Sequence, residues 1–196
     1  MIIVTTCRSP GRRLRSFAND LADSLPDAVR VNRGKQSIED LAANAARWGA
    51  DLVIIIGAWR GNPGRLLFMK ITEDGYQFAP PFLLLAGVKL LREMSEQDRP
   101  PSISTEIVAT AESSSVKVKE LGESLAELFK LPYIEVSAPE DLRGSADVIM
   151  WVEDGRREAA AIKFLNGRSL KPAGPLIRIR RISYEVRLPR LHPSRI

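Results

Sequence analysis

The sequence predicts an α/β protein made of two tandem related halves, each a mainly parallel sheet with a hairpin. Three observations carry this expectation. Short apolar runs alternate with stretches whose apolar residues recur at helical spacing, the pattern of a sheet covered by helices. A Gly- and Pro-rich turn separates two apolar strand-like runs near residue 62. The same order of elements then returns in the second half of the chain.

The elements follow in order. Residues 2–6, "IIVTT", read as a buried strand. From Arg12 to Leu25 the residues Leu14, Phe17, Leu21 and Leu25 form the apolar stripe of a helix, which Pro26 ends. "AVRVN" is a second strand. Ser37 is the expected N-cap of a second helix, with Asp40 three residues on and Ile38, Leu41 and Ala45 on one face; Gly49 stops it. "DLVIIIGAW" is a third strand, apolar throughout and therefore buried on both faces. In "GNPG", Pro63 presets one corner of a turn and Gly64 supplies positive φ, and "RLLFMKI" returns as a fourth strand. A helix is expected over Leu84–Met94.

"TEIVATAESSSVKVKELGESLAELFKLPYIEV" aligns with "MIIVTTCRSPGRRLRSFANDLADSLPDAVRV" as strand, Ser-rich turn, helix, strand. "ADVIMWVEDGRREAAAIKFL" aligns with "ADLVIIIGAWRGNPGRLLFMKI" as strand, turn, strand. Nine residues separate Val136 from Ala146, against eighteen between Val31 and Ala50, so the second copy lacks a helix. The expected organisation is a first half over 1–72, a connecting segment over 73–102, a second half over 103–188 and a loose basic tail over 189–196. The closing "LIRIRRISYEVRL" alternates apolar and basic residues as a strand with a basic face, bulged at Arg180–Arg181.

Composition narrows the function. The chain has 196 residues and a net charge of +5. Residues 1–65 are net +4, residues 66–150 net −6 and residues 151–196 net +7. Two basic ends around an acidic middle point to an anionic partner met by particular surfaces. Of the 29 basic residues 21 are arginine, the side chain suited to bidentate phosphate contact. No apolar run reaches the ~18 residues of a membrane span, and the start reads as a strand and not as a signal peptide. One cysteine and one histidine offer neither an internal disulfide nor a metal cluster, so no cofactor is expected. The expected compartment is the reducing cytoplasm.

Cys7 and Arg13 stand at the C-x5-R spacing of a cysteine phosphatase loop, between a strand and a helix. Such a loop needs a thiolate, a supporting hydroxyl and a general acid. Leu14 follows Arg13, Pro10 removes one loop N–H, and no Asp-Pro pair stands out as the acid. The loop is therefore read as one that grips phosphate without chemistry. Arg12, Arg13 and Arg15 support this, because cations in the first turn of a helix oppose its dipole.

"TTCRSPGRRLRSFANDLADSLP", "RVNRGKQSIEDLAANAARWGADLVII" and "WRGNPGRL", followed late in the chain by "GPLIRIRRISYEV", resemble the Brix domain of ribosome-biogenesis proteins. The compact length is similar to archaeal members related to a protein of the eukaryotic small-subunit processome. Cys7 departs from the serine usual there, and "YQFAPPFLLLAG" lacks the family's Pro-Thr-Gly-Pro segment. The resemblance implies two α/β halves, each similar to the anticodon-binding domain of class II aminoacyl-tRNA synthetases, and a role in pre-rRNA processing and ribosomal subunit assembly.

The expected RNA-contacting residues are Arg8, Ser9, Arg12, Arg13 and Arg15 in the first loop, Asn32, Arg33 and Lys35 in the second, and Arg60, Asn62 and Arg65 at the hairpin, with Arg178, Arg180 and Arg181 on the basic strand. The expected partners are pre-rRNA or another structured RNA, and ribosomal or assembly proteins, with no membrane. The other readings are a tRNA-binding accessory module, a cysteine phosphatase, and a scaffold that meets basic proteins through Glu120, Glu123 and Glu127. In the second half, "AESSSVKVKE" carries only two lysines, so the RNA grip is expected to be one-sided.

Overall fold

The computed structural model of the chain describes residues 1–185. Arg187, the end of the last expected strand, and the tail with His192 lie outside the described residues. The elements are β1 (Ile2–Thr6), α1 (Arg12–Ala22), β2 (Ala28–Arg30), α2 (Ile38–Arg47), β3 (Leu52–Trp59), β4 (Asn62–Thr72) and β5 (Gly75–Lys89), then β6 (Glu106–Ala111), α3 (Val116–Phe129), β7 (Tyr133–Val136), β8 (Val148–Glu153), β9 (Ala160–Asn166) and β10 (Leu176–Ser183). Short 3-10 turns lie at Leu91–Glu93 and Pro139–Leu142. Among the described residues the strands make one ten-stranded sheet in the order β2-β1-β3-β4-β5-β10-β9-β8-β6-β7.

β1 pairs in parallel with both β2 and β3, and β6 with both β7 and β8. β3-β4 and β8-β9 are antiparallel hairpins. β10 runs antiparallel to β5 and to β9 and joins the two arms. The C-terminal ends of β1, β2 and β3 therefore share one end of the sheet, and those of β6, β7 and β8 point to the opposite end.

Both faces are covered over the first arm. α1 seats Leu14, Phe17 and Leu21 against Val4, Ile54 and Ile56, in a core that runs on beneath Leu121 and Leu125 of α3. Each such side chain contributes about 1.5–3 kcal/mol on burial. α2 covers the other face with Leu41, Ala42 and Ala45 over Ile3, Val53 and Ile55. The continuous apolar run of β3 follows from this double cover. On the second arm that face carries only a small cluster of Ala109, Leu142, Ile149 and Trp151, with Leu142 supplied by a 3-10 turn.

Several expectations change. α1 ends at Ala22, three residues before Leu25. The helix expected over Leu84–Met94 is absent: β5 continues to Lys89 and only Leu91–Glu93 turns. Leu83 and Leu85 are buried while Leu84 is exposed, which is strand periodicity imposed by β4 on one side and β10 on the other. Pro80 and Pro81 sit at the register slip between Leu66 and Phe68, where their missing N–H groups disturb the ladder least. The hairpin turns at Arg60–Gly61, both at positive φ, not at Pro63–Gly64. This is a two-residue turn of the primed type that suits strand twist. Pro63 and Gly64 lie at a bulge in β4 instead, and a Cβ on Gly64 would fall 2.4 Å from the Cβ of Trp59. β10 is bulged at Arg180, between the Ile179–Leu85 and Arg181–Leu84 pairs.

The segment after β5 is tied to α1. Arg13 makes a bidentate pair with Glu93, Nη1 to Oε1 at 2.6 Å and Nη2 to Oε2 at 2.9 Å, and Nη2 also donates to the Val88 carbonyl. Leu91 N–H donates to Asp20, and Arg99 reaches Asp23. The Arg13 guanidinium and the Leu90 N–H hold the Glu93 carboxyl down to about 2. Arg13→Ala should therefore lower stability by about 0.5–1 kcal/mol, the range of a partly exposed pair. Because the Glu93 pKa is depressed, that contribution is present above the ordinary value of 4.5 and fades as pH falls toward 2. Urea melts of Arg13→Ala and the parent at pH 7 and pH 2.5 measure this, and an unchanged gap would refute it.

Glu106 is the opposite case. It begins β6 fully buried, and neither carboxylate oxygen has a partner. Burial raises its pKa well above 4.5. A raised carboxyl pKa leaves stability intact below the unfolded-state value and erodes it as pH climbs toward the folded-state value. Glu106→Gln should melt higher than the parent at pH 7 and match it near pH 4. A lower melting temperature at pH 7 would mean that the carboxyl has a stabilising role.

Candidate nucleic-acid interface

Three loops meet at the end of the sheet where β1, β2 and β3 finish. The first, residues 7–11, leads into α1. The second, residues 31–37, leads into α2. The third is the β3-β4 turn. The first and third touch, since a Cβ on Gly11 would lie 3.7 Å from the Gly61 carbonyl oxygen.

The two helix starts differ. α2 has the expected N-cap in full: Ser37 Oγ accepts from Asp40 N–H at 3.0 Å, and the Asp40 carboxylate accepts from Ser37 N–H at 3.0 Å. Glu39 and Asp40 in its first turn also suit the dipole. α1 begins at Gly11 with no side-chain cap and no acid in its first turn. Its first N–H groups lack intrahelical acceptors, as in any helix. The residues beside them are arginines.

A cleft of about 510 Å³ opens between the first two loops, lined by Ser9, Arg15, Arg30, Asn32, Arg33 and Lys35. Arg33 is its buried member, only 2% exposed. Its Nε donates to the Gln36 carbonyl at 3.1 Å, while its Nη1 has no partner. Arg8 Nε donates to the same carbonyl at 3.4 Å, so two guanidinium groups converge on one neutral oxygen. Burial, and after it the Arg8 charge, push the Arg33 pKa below the ordinary arginine value. Arg30 has a buried Nε without a partner and donates through Nη2 to Asn32 at 2.6 Å. Buried cations without matched anions are costly. Here the buried Arg33, with the half-buried Arg30 and the exposed Arg8, stands beside an uncapped helix start, an arrangement suited to an anion.

The expected residues separate into groups. Arg8, Ser9, Arg15, Asn32, Arg33 and Lys35 lie at this cleft or its rim, and Arg12 is exposed in the first turn of α1. Arg13, expected to hold phosphate, is instead bound by Glu93. Arg60 and Asn62 belong to the hairpin tip, and Arg180 shares a second cleft with them. Arg65 lays its side-chain stem across Gly57, and Arg65 and Arg181 line a groove further along β4 and β10. Arg178 lies 4.0 Å from Glu158. The bulge at Arg180 thus sends consecutive arginines of β10 to different surroundings. Two residues were missed from sequence: Arg30, the last residue of β2, and Trp59, which is 60% exposed. For Trp59 the usable signal was an aromatic beside a Gly turn.

Cys7 does not face the cleft. It is buried in the apolar core, and its N–H donates to the Ile56 carbonyl. Among the described residues no group of three or more His, Cys, Asp or Glu side chains could hold a metal ion, and no helix is long and apolar enough to cross a membrane.

The matching site on the second arm is already filled. Ser115, at the start of α3, donates to Asp154 through its N–H at 3.0 Å and through its Oγ at 2.6 Å. Asp154 follows β8, where the first arm has Arg60. Lys119 is held by Glu135 at 2.6 Å.

No protein-family model matches the chain. Curated relatives do. A probable Brix domain-containing ribosomal biogenesis protein of Thermococcus kodakarensis is 31% identical over 190 residues, covering 92% of this chain and 89% of the relative. One of the same description from Pyrobaculum aerophilum is 31% identical, covering 93% and 95%. The crystal structure of a probable ribosomal biogenesis protein from Aeropyrum pernix superimposes with a TM-score of 0.76 at 28% identity, covering 92% of this chain and 95% of that one. Mil, an archaeal Imp4-like protein, shares the fold with a TM-score of 0.66 at 21% identity, covering 94% and 100%. The chain therefore belongs to the Brix domain-containing ribosomal biogenesis proteins.

Proposed function

We propose that the protein acts in ribosome biogenesis by holding the phosphate backbone of pre-rRNA, or another structured RNA, at the end of the sheet where β1, β2 and β3 finish. The observation that carries this reading is the cleft around Arg33. A buried guanidinium with an unpartnered nitrogen, a second arginine on the same carbonyl and an uncapped helix start all call for an anion. The first-loop and second-loop residues Arg8, Ser9, Arg12, Arg15, Asn32, Arg33 and Lys35 supply the grip, with Arg30 added. Arg60, Asn62, Arg180 and Arg181 extend it toward the sheet centre. Arg13 serves the fold.

In this reading the two arms are related copies, each akin to the anticodon-binding domain of class II aminoacyl-tRNA synthetases. The mirrored strand order supports the kinship, and the Asp154 carboxylate at α3 supports a grip on one arm only. The protein is not an enzyme, and Cys7 serves packing. It works in the cytoplasm with ribosomal RNA, and ribosomal or assembly proteins are its other partners.

Arg33→Met tests the grip. It should weaken RNA binding about tenfold or more, while the melting temperature holds or rises because an uncompensated charge has gone. Sulfate should raise the melting temperature of the parent more than that of Arg33→Met. Lys117→Glu with Lys119→Glu, at the start of α3, should cost less affinity than Arg33→Met. Equal losses would defeat the one-sided grip. The parent should lose affinity with salt at a log–log slope of about −0.7 for each phosphate contacted on single strands. A flat salt response would argue for a protein partner.

Cys7→Ser should support ribosome assembly like the parent, with a modest loss of stability, of about 1–3 kcal/mol, for a hydroxyl in an apolar site. Loss of function in a folded Cys7→Ser protein would reopen catalysis.

A further inference from the structure

We infer that Trp59 is a stacking platform for an unpaired base of the bound RNA, so that the protein prefers a single-stranded segment or bulge at its first-arm hairpin. The inference rests on the RNA-binding reading above and deepens it.

Trp59 ends β3 and is 60% exposed. Its root is fixed, because the close approach of Gly64 to its Cβ leaves no room for a side chain at that position. Arg60, held at positive φ by the turn, sets its guanidinium carbon 5.9 Å from the ring centroid. The ring forms one wall of a cleft of about 390 Å³ whose polar lining is Arg60, Asn62 and Arg180, together with Arg13, whose charge is already paired with Glu93. No carboxylate is among the described residues that line it. The ring thus has what a nucleotide requires: a π face for the base and cations for the phosphates on either side of it. The hairpin turn next to Trp59 also neighbours the first loop of the proposed grip, with Gly61 close to Gly11.

Exposure alone would be a weak warrant, because scattered surface aromatics are normal. Trp48 makes the contrast. It is 48% exposed but caps the C-terminal end of α2, at the far end of the sheet from the three loops. A base already stacked within a duplex cannot reach a platform of this kind, whereas unpaired bases can be splayed onto aromatic side chains. The preference should therefore be for form and not for sequence.

The test uses the full chain with Trp48→Phe, which leaves Trp59 as the exposed indole; Trp151 is buried. The protein is titrated with a short oligouridine and with a duplex RNA of equal length, and both indole emission and RNA anisotropy are followed. Saturable quenching by the oligouridine, with little quenching by the duplex, is expected. Trp59→Ala should weaken oligouridine binding about tenfold, the scale of one lost base stack, and weaken duplex binding much less. Trp59→Phe should restore most of the affinity. Undiminished oligouridine affinity in Trp59→Ala, or binding without quenching, would overturn the stacking role and leave the phosphate grip standing. Failure of the parent to bind any RNA would overturn both.

Discussion

The antiparallel pairing of β5 with β10 is the contact on which the rest of the molecule depends. Strands β1 to β5 are consecutive in sequence, and so are β6 to β10, yet each arm alone would leave a long strand with an unpaired edge. Pairing β5 with β10 removes both edges at the centre and makes the sheet continuous. It also fixes the two arms in opposite directions, with α1 and α3 on the same face over one core. The loop ends of the arms then point away from each other. Whatever binds at the end of one arm does not meet the end of the other, and each can evolve separately.

That separation gives meaning to the contrast between the helix starts. α1 is uncapped and surrounded by arginines, while α3 is served by Asp154. The two positions pose the same electrostatic problem, free N–H groups at the positive end of a dipole. Neither helix has a side-chain cap on its first-turn N–H groups, but on the second arm the Asp154 carboxylate from the neighbouring hairpin sits on the N-cap residue Ser115 and puts a negative charge there. On the first arm the corresponding hairpin carries Trp59 and Arg60, and the buried Arg33 adds charge instead of cancelling it. This places uncompensated positive charge at one end of the sheet, where an external anion can relieve it.

Arg13 shows why charge alone misleads. In the sequence it is indistinguishable from Arg12 and Arg15. In the fold it faces the segment after β5 and is engaged by Glu93, which is 80 residues away along the chain. The acidic middle of the chain is thus partly spent on structure: Glu93 holds Arg13, and Glu135 holds Lys119. The bulge at Arg180 likewise separates basic residues that the sequence reads as one strip.

The sequence by itself determined the α/β alternation, the Ser37 cap, the double burial of β3, the order of elements on the second arm and the family. The elements depend on side-chain periodicity and local turn chemistry, which need no distant partner; the family came from the resemblance of spaced motifs such as "TTCRSPGRRLRSF" and "WRGNPGRL". Tertiary structure decided the rest. Residues 84–89 became a strand because β10 offered backbone partners as far as Lys89, with β4 on the other side as far as Leu84, overriding an apolar run with helical propensity. The turn fell at Arg60–Gly61 because the ladder of β3 with β4 continues to the Trp59–Asn62 pair. Arg33 became a buried cation beside the half-buried Arg30, and Arg13 a brace, because loop packing sets which guanidinium finds a carboxylate and which is left without one.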